Sequence, residues 1–136
     1  FGTAEYSALI STTRGAEKLP VLLHFDPGTL DLDADARAYV TGQAGAIRQY
    51  LSAGASVIFV GHTDYTGDVA KNRAISLNRA LAVRAAFEAV GVFGLEVEGA
   101  GEICPAGDNQ TDAGRNLNRR VEIWVRPSAP PAPQPS

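Results

Sequence analysis

His62, Thr63 and Asp64 follow directly on the apolar run Val57-Ile58-Phe59-Val60-Gly61, and Asn72, Ser76 and Arg79 recur just downstream. An imidazole, a hydroxyl and a carboxylate at the end of an apolar run are what a buried strand delivers when it carries polar chemistry to a surface. Three chemistries compete: a metal pair, a catalytic acid and base, or a pocket for a charged ligand. A zinc site takes about three or four protein ligands, whereas His24 is the only other histidine and Cys104 the only cysteine. No metal and no cofactor are therefore expected. Catalysis finds no G-x-S-x-G elbow. Ser76 falls in a helical pattern, where a hydroxyl back-bonds or packs, and the stretch GHTDYTGD lacks the lysine of a phosphate loop.

Binding fares better. On a helix, Asn72, Ser76 and Arg79 share one face over about two turns, while Leu77, Ala80 and Val83 are expected to point elsewhere, into the core. The connection Tyr65-Thr66-Gly67 is too short to carry that face far from the strand end. A carboxylate, a hydroxyl, an amide and a guanidinium then converge beside the positive end of a helix. Such a pocket suits a zwitterion, with Arg79 gripping a carboxylate and Asp64 receiving an ammonium group. The same spacing also allows an internal Asp64–Arg79 ion pair that only ties the turn to the helix, and spacing alone leaves both readings open. A second cluster, Arg115, Arg119 and Arg120 in GRNLNRRVEIWV, could serve anions or pair on the surface with the chain's acids.

The elements that must hold these groups follow from periodicity. Leu19–Phe25 reads as a strand ended by the turn Asp26-Pro27-Gly28-Thr29. A helix is expected over Asp31–Leu51, with acids at its start and Val40, Ala44, Ile47 and Leu51 on one face. Ser56–Val60 is a strand whose unbroken apolar character predicts burial on both faces. A second helix runs from Asp68 or Val69 to Val90 with the stripe Leu77, Ala80, Val83, Phe87 and Val90, and Gly91 ends it. Leu95–Glu98 is a short strand, Gly99–Asn118 a long polar loop, and Arg120–Arg126 the last strand. The expected architecture is α/β, a two-layer sandwich of β-α-β-α-β-β order with two helices on one face of a mixed sheet. Residues 1–18 read as a lead-in, 19–126 as the domain, and 127–136, rich in proline, as an extended disordered tail.

At 136 residues the chain fits one domain. A net charge of −3 gives no basic footprint, so nucleic acid is not an expected partner. No apolar run approaches the roughly 18 residues of a membrane helix, and none of the residues read as a signal peptide. Any anchor or export signal is expected upstream of Phe1. Cys104 stands alone, as an inert buried thiol or the partner of an intermolecular bridge.

Four linked pieces, HFDPGT at 24–29, VIFVGHTDYTG at 57–67, NRAISLNRALAV at 72–83 and GRNLNRRVEI at 114–123, resemble the OmpA-like peptidoglycan-binding domain shared by OmpA, Pal lipoproteins and the stator protein MotB. The resemblance implies the sandwich above and non-enzymatic, non-covalent binding of peptidoglycan through the meso-diaminopimelate of its stem peptide. Asp64 and Arg79 would be the principal contacts, with Phe25 and Asp26 bordering the pocket and Thr63 and Asn72 bracing it. Ile75 would take a buried position, and Asn118 with Arg119 or Arg120 would close the far side. Successive strand residues face opposite ways, and Arg120 shares its face with Glu122 and Trp124, which favours Arg119. Gly61, His62 and Ser76 would be supporting residues, His62 as an orienting group and not a ligand. The implied setting is the periplasm, with outer-membrane association through an anchor outside this chain. A stator or secretion-system domain gated by homodimerisation is the alternative within the family, and a peptidoglycan hydrolase the rival outside it.

Overall fold

The computed structural model describes residues 15–26, 29–64, 69–101 and 110–128. Its elements are β1 (Glu17–Leu23), α1 (Ala34–Ser52), β2 (Ser56–His62), α2 (Val69–Glu88), β3 (Glu96–Gly101), α3 (Asp112–Asn118) and β4 (Val121–Arg126). They build one four-stranded mixed sheet in the order β1-β4-β2-β3, with β3 parallel to β2 and the other two pairings antiparallel. The expected α/β class and mixed sheet hold.

Helix α1 begins where its sequence offers a cap: the Asp33 carboxylate accepts from Ala36 N–H at 2.8 Å, and Asp35 sits in the first turn. Asp31 lies outside the helix, so the start falls later than the periodicity predicts. Ala36, Val40, Ala44 and Ile47 form its buried face. Beyond it, Gly54 adopts φ +86°, the left-handed conformation that a side chain resists.

Strand β2 is buried on both sides, as its composition predicts. Val57 and Phe59 face the helices, where Phe59 stacks on Phe87 at 5.4 Å, while Ile58 and Val60 pack against Ala100 and Trp124 on the opposite face.

Four further expectations need correction. Strand β1 spans Glu17–Leu23 and not Leu19–Phe25, so Glu17 and Lys18 belong to the sheet and not to a lead-in. The register slips between Lys18 and Leu22, around Pro20, which cannot donate to a ladder and sits here on an edge strand. Phe25 forms only an isolated bridge with Leu32.

The stripe of α2 is rotated. Leu77 and Val90 are exposed, and the inward residues are Asn72, Ser76, Ala80, Val83 and Phe87. The cause lies in the sheet. A Cβ on Gly61 would stand 2.7 Å from the Ser76 carbonyl carbon, and one on Gly99 would stand 2.8 Å from Arg73 O and Leu77 N. These two glycines are register partners across β2 and β3. Together they form a flat seat on which the Arg73–Leu77 turn of α2 rests backbone to backbone, with only a small residue, Ser76, beneath it. The polar positions 72 and 76 thus continue the apolar stripe instead of opposing it.

Ile75, expected to be buried, is 40% exposed for the same reason. Finally, the segment read as a loop over Gly99–Asn118 contributes two more strand residues beyond Gly99 to β3 and the seven-residue helix α3, which Thr111 caps by accepting from Gly114 N–H at 2.9 Å. The Pro27-Gly28 turn, the Tyr65–Gly67 connection, Cys104 and the tail beyond Ser128 lie outside the described residues.

Candidate ligand-binding site

The C-terminal end of β2, the inner face of α2 and the α3–β4 junction meet at one end of the sheet. The glycine seat sets their spacing: with no side chain between α2 and the strands, Asn72 and Arg79 are drawn down to the level of the residues that follow β2. Thr63 and Asp64 are buried there, at 5% and 6% exposure.

Asp64 pairs with Arg119, whose Nη1 lies 2.5 Å from Oδ2. Arg119 itself is more open, with 39% of its side chain exposed against 9% for Asp64. Arg79 does not take up the ion pair that spacing allowed. Its Nη1 donates to the carbonyl of His62 at 3.0 Å. Its Nε is buried without a partner among the described residues, as is the hydroxyl of Thr63. Burial lowers the Arg79 pKa first, the nearby Arg119 lowers it further, and the charge of Asp64 opposes both. A guanidinium stays protonated through such shifts, so among the described residues the site holds two fixed cations around one carboxylate. Asn72 Nδ2 approaches the Asp64 carbonyl at a long 3.4 Å.

Of the remaining candidates, Ser76 is fully buried and its hydroxyl donates back to Arg73 O at 2.7 Å, the back-bonding role its position predicts. Asn118 is fully buried at the end of α3, and its carbonyl accepts from Arg120 N–H at 3.0 Å. Arg119 and Arg120 part company, although β4 begins at Val121 and not at Arg120: Arg119 caps the end of α3 and faces Asp64, whereas Arg120 turns to the opposite face of the sheet and donates to Glu122. His62 turns that way too, its Nε2 2.9 Å from Glu122 Oε1.

Phe25 is half-buried, whereas Asp26 is exposed. Its backbone closes the turn to Asp31, and its side chain lines the groove of about 560 Å³ between α1 and α2 with Leu30, Arg37 and Val40. Ile75 lies on an exposed side of α2.

His24 is a residue that motif reading passed over. Its Nδ1 lies 3.2 Å from the Arg119 carbonyl and ties the end of β1 to the arginine that faces Asp64. Its place two residues before Asp26, at a strand end, was the only sequence signal available. Among the described residues no three His, Cys, Asp or Glu side chains cluster as a metal site would need.

Chemically, a buried carboxylate beside two guanidiniums, one of them carrying an unused Nε–H, can receive a group bearing both negative and positive charge.

Comparison with known proteins bears on the family and the fold. Residues 24–119 match the OmpA family. The probable lipoprotein YiaD of Escherichia coli is 32% identical over 124 residues, which cover 87% of this chain and 56% of that protein, so the chain spans only about half of its relative. Among solved structures, the peptidoglycan-associated lipoprotein of Burkholderia pseudomallei superposes with a TM-score of 0.67 at 24% identity, covering 76% of this chain and 88% of the other. The periplasmic domain of Helicobacter pylori MotB (residues 97–256) gives 0.67 at 26% identity, covering 84% and 83%. With the family matched from His24 at the end of β1 to Arg119 beside Asp64, and the sandwich shared with both structures, the chain belongs to the OmpA family.

Proposed function

We propose that this domain binds peptidoglycan non-covalently through the meso-diaminopimelate of the stem peptide and thereby holds an envelope protein to the cell wall. The observation that carries the reading is the buried Asp64 carboxylate facing Arg119, next to an Arg79 Nε–H and a Thr63 hydroxyl that are buried without partners. Buried polar groups are normally satisfied, so two orphans beside a charge pair mark where a ligand's polar atoms belong. The free end of diaminopimelate bears a carboxylate, which suits Arg79, and an ammonium, which suits Asp64. Asn72, Asn118 and Arg119 complete the wall of the site, and Phe25 borders it.

The domain acts by binding and performs no chemistry on the wall. It works in the periplasm, attached through parts of the protein outside this chain. No helix among the described residues is long and apolar enough to cross a membrane. The likeness to Pal, whose name states its association with peptidoglycan, supports the same reading.

Titration with meso-diaminopimelate against lysine tests it, because lysine lacks one carboxylate. Preference for diaminopimelate, together with loss of pull-down by purified peptidoglycan in Arg79→Ala at an unchanged circular dichroism spectrum, is the expected outcome. Equal binding of both amino acids, or full pull-down of the variant, refutes the carboxylate grip.

A further inference from the structure

On the face of the sheet opposite the helices, directly behind the binding site, one carboxylate gathers an unusual number of donors. Glu122 is 5% exposed. Its Oε1 lies 2.9 Å from His62 Nε2 and 3.2 Å from Trp124 Nε1. Its Oε2 lies 3.1 Å from Arg120 Nε, 2.9 Å from Arg120 Nη2 and 3.7 Å from Lys18 Nζ. Burial alone would raise its pKa, but the His62 hydrogen bond and charge and the Arg120 guanidinium outweigh that and bring it down to about 2. Burial lowers the pKa of the His62 imidazole too, against the raising pull of Glu122, and a proton on Nε2 suits the carboxylate it faces.

A buried ionic cluster is weak evidence of stabilisation, since well-packed apolar residues of the same volume often do as well. What distinguishes this one is the backbone to which its donors belong. The His62 carbonyl receives Arg79 Nη1, and the His62 N–H donates to the Arg120 carbonyl at 2.7 Å. Arg120 follows immediately on Arg119, whose side chain holds Asp64. The peptide units at positions 62 and 120 therefore lie between Glu122 on one face and the two site arginines on the other. The two side chains that Glu122 holds thus spring from the same backbone on which the site arginines rest.

We propose that Glu122 is a positioning residue: by pinning His62 and Arg120 from behind the sheet, it sets the spacing of Arg79 and Arg119 and so the fit to a ligand with a carboxylate beside an ammonium. This rests on the binding reading above, and it predicts that specificity is controlled from a face the ligand never touches. Catalytic and ligand-contact mutagenesis aimed at the pocket would miss it.

The test uses Glu122→Gln, which keeps shape and removes charge, and two histidine variants. His62→Gln retains a donor where Nε2 lies; His62→Asn removes it. Trp124→Phe serves as the control, because it removes a Glu122 donor whose backbone does not touch the site arginines. Affinity for meso-diaminopimelate and for lysine is measured by calorimetry well below each melting temperature, and the Arg79 Nε–H resonance is followed by NMR.

The expected result for Glu122→Gln and His62→Asn is a loss of diaminopimelate affinity on the order of tenfold to a hundredfold, the scale of one lost hydrogen bond to a charged group. Their preference over lysine shrinks and the Arg79 resonance moves. His62→Gln and Trp124→Phe stay near wild type. A merely structural role would lower melting temperatures while leaving affinity, preference and the resonance alone. Wild-type affinity and preference in whichever of Glu122→Gln and His62→Asn folds overturns the pin. Failure of the wild-type protein to prefer diaminopimelate, or wild-type binding by Arg79→Ala, overturns the binding reading itself, so the two failures are told apart.

Discussion

Replacing Gly61 by alanine probes the feature on which the whole site depends. The added Cβ would stand 2.7 Å from the Ser76 carbonyl carbon, 3.3 Å from its Cα, and closer still to the carbonyl oxygen. Non-bonded carbons settle at about 3.5–4.0 Å, so α2 must lift by roughly 1 Å or more. The obstacle on both sides is backbone, which no rotamer change relieves. Overpacking a core costs about 1–3 kcal/mol, and this site belongs at the upper end, about 3 kcal/mol. For a domain of this size that corresponds to a fall in melting temperature on the order of 10 °C or more. The same lift carries Asn72 and Arg79 away from Asp64, and losing one hydrogen bond to a charged group costs about 1.5–3 kcal/mol, on the order of tenfold to a hundredfold in affinity.

Thermal melts by circular dichroism and calorimetric titration with meso-diaminopimelate read the two effects separately. Gly42→Ala on α1 provides the contrast: a Cβ there meets nothing within 4 Å, and alanine in a helix interior gains about 0.5–1 kcal/mol over glycine. If Gly61→Ala melts within about 2 °C of wild type and binds as tightly, α2 does not rest on the sheet as described.

Acidification should destabilise the domain in two stages. Glu122 falls from 4.5 unfolded to about 2 folded; its contribution is complete above about pH 4.5 and is lost as pH falls toward 2, a total of about 3 kcal/mol for a carboxylate this buried. His62 is also lowered on folding, so its loss begins earlier, as pH drops below its unfolded value of 6.5. Denaturant melts between pH 7 and 3 should show stability declining throughout, and a flat profile would contradict the buried pair. At the start of α1, Asp33→Ala removes the cap on Ala36 N–H and should cost about 1 kcal/mol in urea denaturation with the m-value unchanged.

Strands and helices were legible wherever a period ran long enough. Val121, Ile123 and Val125 alternate cleanly, and Ala36 to Ile47 keep helical spacing, so both elements could be placed from type alone. Position within an element was harder. Leu77 reads as core and Ser76 as surface on any hydrophobicity pattern, yet the glycines at 61 and 99 reverse them, because they admit backbone where side chains usually pack. That information is carried by residues on other elements.

Helix α3 was missed since seven residues hold under two turns of periodicity, although Thr111 and Asp112 supply its capping signals. In the site, the residue types at 64, 72 and 79 pointed to charge recognition. The partner of Asp64 did not follow from spacing within α2, because Arg119 arrives from a different part of the chain, and only its strand alternation with Arg120 hinted at it. Glu122 gave no local signal and His24 only its place at a strand end, as both act across the sheet.

The strand register also fixes how tension would travel through the domain. Glu17 pairs with Val125 and Ser56 with Arg126 at one end of the sheet, whereas Leu23 and Gly61 both meet Val121 at the other, beside Asp64 and Arg119. A pull between a wall-bound ligand and the chain at either Glu17 or Arg126 therefore runs along the strands, and their hydrogen bonds share it in shear instead of opening one by one. The two routes differ in stiffness. A load entering at Arg126 passes down the covalent backbone of β4 straight to Arg119. One entering at Glu17 must cross the β1–β4 ladder where the slip around Pro20 leaves it thinnest, so a tether on that side meets the more compliant path.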